Sequence, residues 1–416
     1  MSDCVKLEFH RYDYASYAAF FSYSASSLVV PVALMQIADA LGFPLADGGM
    51  GTGGAIQLGR TVTMTLFLIL SGFIAGRFGL RKTIGAAALV MAVGCLGAAL
   101  ANSYWVLFAG VLLAGCGEGY IEAIGTPFVQ KLHVQNTGQY MNFAHSFWSV
   151  GVTSTTIGAG ALLMCGVSWR VVIGIACALA IGASLVFLLP EKKGQEYPES
   201  TEPLSVPTVL KQIRDIMACP RFWLFFGLMF VAGGSEFCLT FWLASFMQLS
   251  MKTGALLGGL ATAVFALGMV TGRMGWGIFV PDSKQGHSLI AAGIIGVLLT
   301  CAIPFLSPDL SIGRNAVLAI LFVLLYFIGI TIAPLWPTLQ TYAVSRLPKK
   351  LDETMIYILL SSAGVPGCGF FTTVMGILGD ALGGLDRAFF LVPACQMALT
   401  VIIIIESRCK QPKRLG

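Results

Sequence analysis

Twelve stretches of about twenty or more mostly apolar residues follow one another along this chain, and few folds can accept that pattern. They lie near residues 14–38, 50–75, 83–101, 104–130, 138–162, 168–190, 222–248, 253–280, 287–307, 315–344, 354–379 and 387–406. Each is long enough to cross the hydrocarbon core of a bilayer as a helix, which needs about 20 residues. Only 11% of residues are charged and 56% are hydrophobic, whereas a soluble domain carries about 25% charged residues. A water-soluble interior of this size cannot absorb so much apolar surface, so the expected solvent is lipid. The N-terminus, MSDCVKLEFHRYDY, is charged and lacks the apolar core and cleavage site of a removable signal.

One long polar stretch interrupts the series. EKKGQEYPESTEPLSVPTVLKQIRDIMACPR, residues 191–221, has six apolar runs before it and six after. The expected organisation is therefore a six-helix bundle over 1–190, a cytoplasmic linker over 191–221 and a second six-helix bundle over 222–416. Within the linker, VPTVLKQIRDIM has the pattern of a short amphipathic helix lying on a membrane surface.

Basic residues set the orientation. With the N-terminus in the cytoplasm, twenty of the 25 Lys and Arg, Arg273 among them, fall on the inner side. Arg170, Lys252, Arg314 and Arg387 fall outside, and Arg60 lies within the second run. Basic residues accumulate on the cytoplasmic side of membrane proteins, so both termini are expected inside.

Most of the eleven cysteines sit inside apolar runs, where a thiol behaves as a small hydrophobe. No CxxC pair and no HExxH is present, so neither metal nor cofactor is expected. An intramembrane enzyme is not expected either, because the LGD at 378–380 lacks the GxGD of membrane aspartyl proteases and no Ser–His dyad stands out. Nothing suggests a nucleic-acid partner.

Ionisable side chains at bilayer depth are costly and mark a pathway or a relay. Here they are Arg60, Glu118, Glu122, His145 and Glu236. Glu118 and Glu122, in GCGEGYIEAIGTPFV, are one helical turn apart and share a face. Two carboxylates that close in a low dielectric resist ionising together, which suits groups that take up and release a proton. The alternative is that they pair with Arg60 and lock helices together. Arg60 is then either their counter-ion or the contact for an anionic group on a solute, since a guanidinium fork fits a carboxylate or sulfonate. Gln57 and Glu236 suit sugar hydroxyls, which want paired donors and acceptors. Trp148, Trp242 and Trp336 lie well inside the runs, where an indole either packs as core or lies on a sugar face and donates its N–H; three of them in two halves, next to polar groups, favour a sugar-sized cavity. SSAGVPGCG and TIAPLWPT are expected to interrupt the eleventh and tenth helices, as at bending points around a central cavity.

Several motifs carry a family resemblance. GFIAGRFGLRKT, Gly72–Thr83, resembles the G-x-x-x-D-R-x-G-R-R/K signature of the major facilitator superfamily, with Gly76 in place of the acid. Within it, four stretches are similar to the fucose–galactose–glucose permease family. They are GEGYIEAIGTPFV in the fourth run, NFAHSFWSVG in the fifth, GSEFCLTFWL in the seventh and GCGFFTTVMGILGDALG in the eleventh. The resemblance implies an all-α polytopic membrane protein of the major facilitator fold, with twelve transmembrane helices in two bundles. It further implies a monomeric transporter in a bacterial cytoplasmic membrane that imports a sugar with a proton by alternating access. On the same basis Glu122 matches the family's proton-coupling acid, while Glu118 stands where the family has an apolar residue. Asn142, His145 and Glu236 match its solute-binding positions. Ser27 stands where the family's first helix carries an aspartate. Import of an anionic sugar or organic anion through Arg60, sodium coupling and uncoupled facilitation remain the alternatives.

Overall fold

A computed structural model describes residues 9–133, 137–191, 196–198, 206–280 and 284–408. All regular structure among them is helical, in fifteen α-helices. The first half holds α1 (Arg11–Leu41), α2 (Met50–Phe78), α3 (Leu80–Ala99), α4 (Tyr104–Leu132), α5 (Thr137–Met164) and α6 (Trp169–Leu188). The linker contains α7 (Val206–Met217), the amphipathic helix expected there. The second half holds α8 (Pro220–Leu249), α9 (Ala255–Phe279), α10 (Gln285–Thr300), α11 (Arg314–Ile332), α12 (Pro337–Arg346), α13 (Glu353–Leu382), α14 (Leu385–Ala388) and α15 (Leu391–Arg408). Twelve segments are long and apolar enough to cross a membrane, and they coincide with the twelve runs to within a few residues.

The helices end where the backbone chemistry demands it. Gly42 and Gly383 adopt left-handed φ angles of 80° and 78° just past α1 and α13, a conformation that costs glycine nothing. The Asp352 carboxylate accepts the Met355 N–H at the start of α13, satisfying one of the donors that a helix N-terminus leaves open.

The tenth crossing breaks as expected: Ala333–Leu335 forms a single 3-10 turn between α11 and α12, at Pro334 and Pro337. The eleventh does not. α13 runs unbroken through Pro366, because its neighbours hold it from both sides. Gly364 accepts the Trp336 ring, and Gly367 lies against the Phe230 carbonyl, so closely that a Cβ at either would fall within 2.4 Å of another atom.

Crossing helices alternate in direction, so one face of the molecule holds the start of α1 and the end of α15; we call it the terminal face. Within the halves α1 packs on α5 and α6, α3 on α4 and α6, α8 on α13 and α15, and α9 on α11. The halves meet through α2 with α13, α5 with α9, and α1 with α8. Small residues make these meetings close, as between helices in lipid generally. Gly54 lies against the Thr373 backbone, Gly376 against Met50, and Gly259 against Thr156. Away from the terminal face, the Asp380 carboxylate accepts the N–H groups of Met50 (3.0 Å) and Gly51 (2.7 Å) at the start of α2.

Charge hubs occupy the terminal face. Glu191, just beyond α6, accepts hydrogen bonds from the Tyr12 hydroxyl and the Tyr197 N–H and lies 3.5 Å from Arg81. Arg81 belongs to the motif in which Gly76 replaces an acid, and Glu191 supplies a carboxylate in its stead. In the second half Glu406 accepts from Arg221, Arg346 and Tyr342.

Candidate functional site

The ionisable residues of the spans separate into two clusters of different character. The first is shut. Arg60, 5% exposed, donates its Nε–H to Glu118 at 2.6 Å. Nη1 donates to Gln57 Oε1 at 2.9 Å and to the Ser27 carbonyl at 3.3 Å, and Nη2 donates to the Ser27 hydroxyl. Glu118, with no exposed surface, also accepts from Ser26 Oγ at 2.7 Å. The guanidinium therefore ties α1, α2 and α4 together, and its charge is matched within the cluster. A void of about 20 Å³ adjoins it, lined by Ser26, Ser27, Gln57, Arg60, Glu118 and Phe241 among others. That holds a single water and not a sugar.

Glu122 belongs elsewhere. Although it follows Glu118 by one turn on α4, it is not among the partners of Arg60. It is half-buried, with the Tyr23 hydroxyl of α1 beside it. Its charged neighbour is Arg273 of α9, in the other half of the chain. His145 on α5 lies close to the same guanidinium, half-buried, with its ring 4.5 Å from that of Phe20. Glu236 on α8, 4% exposed, takes Arg273 Nη2 at 3.2 and 3.4 Å on its two oxygens. Cys368 of α13 is buried against Gly233 of α8, where it feels the charges of Glu236, Glu122 and Arg60. The second cluster thus gathers Glu122, His145, Arg273 and Glu236 from four helices and from both halves.

The tryptophans divide in the same way. Trp242 has no exposed surface and donates its indole N–H to the Thr372 carbonyl at 2.9 Å. Its ring fills the space left by Gly53 and Gly376, which makes it a wedge between α2 and α13 with no free face for a solute in this conformation. Trp148 and Trp336 are half-buried, Trp148 beside Tyr23 with ring centroids 6.5 Å apart. Asn142 lies on α5 with its side chain outside the described residues.

Arg273 was counted among the cytoplasmic basic residues on sequence grounds, and its ion pair with Glu236 corrects that assignment. The signal was present: GMVTGRMGWG puts an arginine in the apolar run 253–280 with no acid nearby in sequence. Its partner is 37 residues away on another helix, which spacing along one helix cannot reveal.

Comparison with known proteins gives the fold a name. No curated protein sequence matches this chain significantly. Among solved structures, a D-xylose–proton symporter is similar over 94% of this chain and 96% of its own, with TM-score 0.74 and 12% identity. A bacterial homologue of the human lysosomal transporter Spinster is similar over 96% of both chains, with TM-score 0.68 and 16% identity. The E. coli fucose:proton symporter is similar over 95% of this chain and 98% of its own, with TM-score 0.60 and 16% identity. At these identities the likeness is one of fold. The sequence profile of the Major Facilitator Superfamily matches residues 15–369, and this multi-pass membrane protein belongs to that superfamily.

Proposed function

We propose that the protein imports a sugar or close sugar derivative together with a proton, by alternating access, from the second cluster. The observation that carries this reading is the position of Glu122. It is a half-buried carboxylic acid within the fourth crossing, and it has Tyr23 of the first half and Arg273 of the second for neighbours. Binding there senses both halves at once, as a solute and its coupling ion must if loading is to drive their relative motion. Tyr23, His145, Trp148 and Trp336 supply hydroxyl, imidazole and indole groups suited to a polyol with one apolar face. The family motifs around Glu122 and His145 and the sugar–proton symporters among the structural neighbours support the same reading. The terminal face is then cytoplasmic, in a bacterial inner membrane, and the halves 1–190 and 222–416 of a monomer rock about the interface, joined by the linker 191–221.

Of the two readings of Arg60, the counter-ion of Glu118 is favoured, because each of its three nitrogens already donates within its cluster. Anion recognition by Arg60 would require that cluster to open.

The test is uptake in proteoliposomes under an imposed pH gradient, with L-fucose, D-xylose, D-galacturonate and a nucleoside as solutes. Accumulation of a neutral sugar that Glu122→Gln abolishes, while exchange of the same sugar continues, supports the proposal. Gradient-driven accumulation that survives Glu122→Gln removes Glu122 from coupling. Uptake confined to D-galacturonate and lost in Arg60→Leu supports the anion reading, and uptake of the nucleoside alone refutes the sugar.

A further inference from the structure

Arg273 is only partly engaged. It reaches Glu236 through Nη2 alone, and its buried Nε–H has no hydrogen-bond partner among the described residues. A buried donor left unpaired is unfavourable, so an acceptor arriving in another state of the molecule would be rewarded. Among the described residues, the titratable groups that feel its charge are Glu122 from α4, His145 from α5 and Glu236 from α8. Tyr23 of α1 and the Cys368 thiol of α13 adjoin Glu122 rather than the guanidinium. The Arg60–Glu118 pair lies one turn from Glu122 and is closed on itself. Of these, only the Glu122 carboxylate is an anionic acceptor in the opposite half.

Position along the helices gives that pairing a consequence. Glu122 lies ten residues before the end of α4 at the terminal face, and Arg273 six before the end of α9 at the same face. A bond between them would draw the two halves together on the terminal side of the interface.

We propose that Arg273 is the positioning residue that converts the proton on Glu122 into closure of the terminal side. With Glu122 protonated, the guanidinium rests on Glu236 within its own half. When Glu122 loses its proton, a second carboxylate flanks the guanidinium, which is then shared across the interface and pulls α4 towards α9. An acceptor oxygen of a bound solute takes the same unpaired N–H groups while Glu122 is protonated. The empty carrier and the carrier loaded with both solute and proton therefore close, and the carrier holding a proton alone does not, which prevents proton leak. This inference rests on the reading of Glu122 as the coupling acid, but not on the solute being a sugar.

Its test needs no solute. Spin labels are introduced as non-canonical amino acids at Phe78 and Lys350, both exposed and near the terminal face in opposite halves, and their distance distribution is measured in lipid nanodiscs at pH 5.5 and 8.5. The expected result is a several-fold gain in the short-distance population of the parent protein at pH 8.5. Glu122→Gln and Arg273→Gln are expected to hold the pH 5.5 distribution at both values, and Arg273→Lys to restore part of the response. A pH response that persists in Glu122→Gln, or a parent protein with none, overturns the proposal. Failure of every sugar in the uptake panel, with the pH response intact, would overturn the sugar reading alone.

Discussion

Arg60 and Glu118 form an ion pair at 2.6 Å whose side chains are only 6% and 0% exposed. Removing one member of a buried pair leaves an uncompensated charge and costs about 3–5 kcal/mol, whereas replacing both with apolar side chains is often close to neutral. Arg60→Leu and Glu118→Leu should each lower the thermal midpoint in detergent strongly, and the double variant should recover most of the loss. Additive losses in the double variant would show that the two residues do not act as a unit.

Trp242 separates the two roles open to a tryptophan inside an apolar run, packing and sugar contact. As a fully buried wedge against Gly53 and Gly376, it should behave as core, and Trp242→Ala should cost about 3–5 kcal/mol of stability. Trp242→Phe should retain most stability and leave the apparent affinity for any transported solute unchanged. A selective loss of solute affinity in Trp242→Phe, with stability intact, would restore it as a binding residue.

The sequence made the fold legible because lipid imposes a simple rule: every crossing must be a helix with an apolar exterior, and length alone then counts the crossings. It was less informative about the site. Only the family resemblance separates Glu118 from Glu122 in GEGYIEA, since spacing puts both on one face; a step of four residues along α4 also moves the side chain one turn along the helix axis. Glu118 meets α1 and α2, while Glu122 faces the interface with the second half. No pattern within α4 encodes what lies opposite each carboxylate. Arg273 was missed for a related reason, since a cation near a helix end reads as topology until its partner on α8 is seen. The break at TIAPLWPT was readable because two prolines remove two backbone donors in one turn. Continuity through Pro366 was not, because it depends on Trp336 and Phe230, which belong to other helices.

Glu191 gives the terminal face a pH dependence with a definite sign. Burial alone would push its carboxyl up, but hydrogen bonds from the Tyr12 hydroxyl and the Tyr197 N–H, with the Arg81 and Arg11 guanidinium groups, hold it below the usual carboxylate range. A carboxyl depressed in the folded state contributes stability above its unfolded value, and that contribution is lost as pH falls through the folded value. The thermal midpoint of the parent protein should therefore exceed that of Glu191→Gln at pH 7, and the gap should narrow as the pH is lowered past about 4.5. A gap that is constant from pH 7 to pH 4 would mean that the Glu191 charge contributes nothing to the fold.

Asp380 is the counterpart of Glu191 at the opposite face, and it joins the two halves of the chain. Its two oxygens accept the N–H groups of Met50 and Gly51 at 3.0 and 2.7 Å, so a carboxylate on α13 caps the positive end of α2. Hydrogen bonds to a charged group contribute about 1.5–3 kcal/mol each, partly offset here by access to solvent. At the terminal face the carboxylate beside Arg81 comes from Glu191 of the same half, so that contact does not tie the two halves together. The Asp380 cap is therefore expected to favour the state closed at its own side. Asp380→Ala should shift the equilibrium towards opening on that side by roughly ten-fold, the equivalent of about 1.4 kcal/mol. Spin labels at Asp47 and Leu382, exposed positions flanking the contact, should report a longer distance population that grows in Asp380→Ala and returns towards the parent value in Asp380→Glu. An unchanged distance distribution in Asp380→Ala would show that glycine packing between α2 and α13 holds that face shut without the cap.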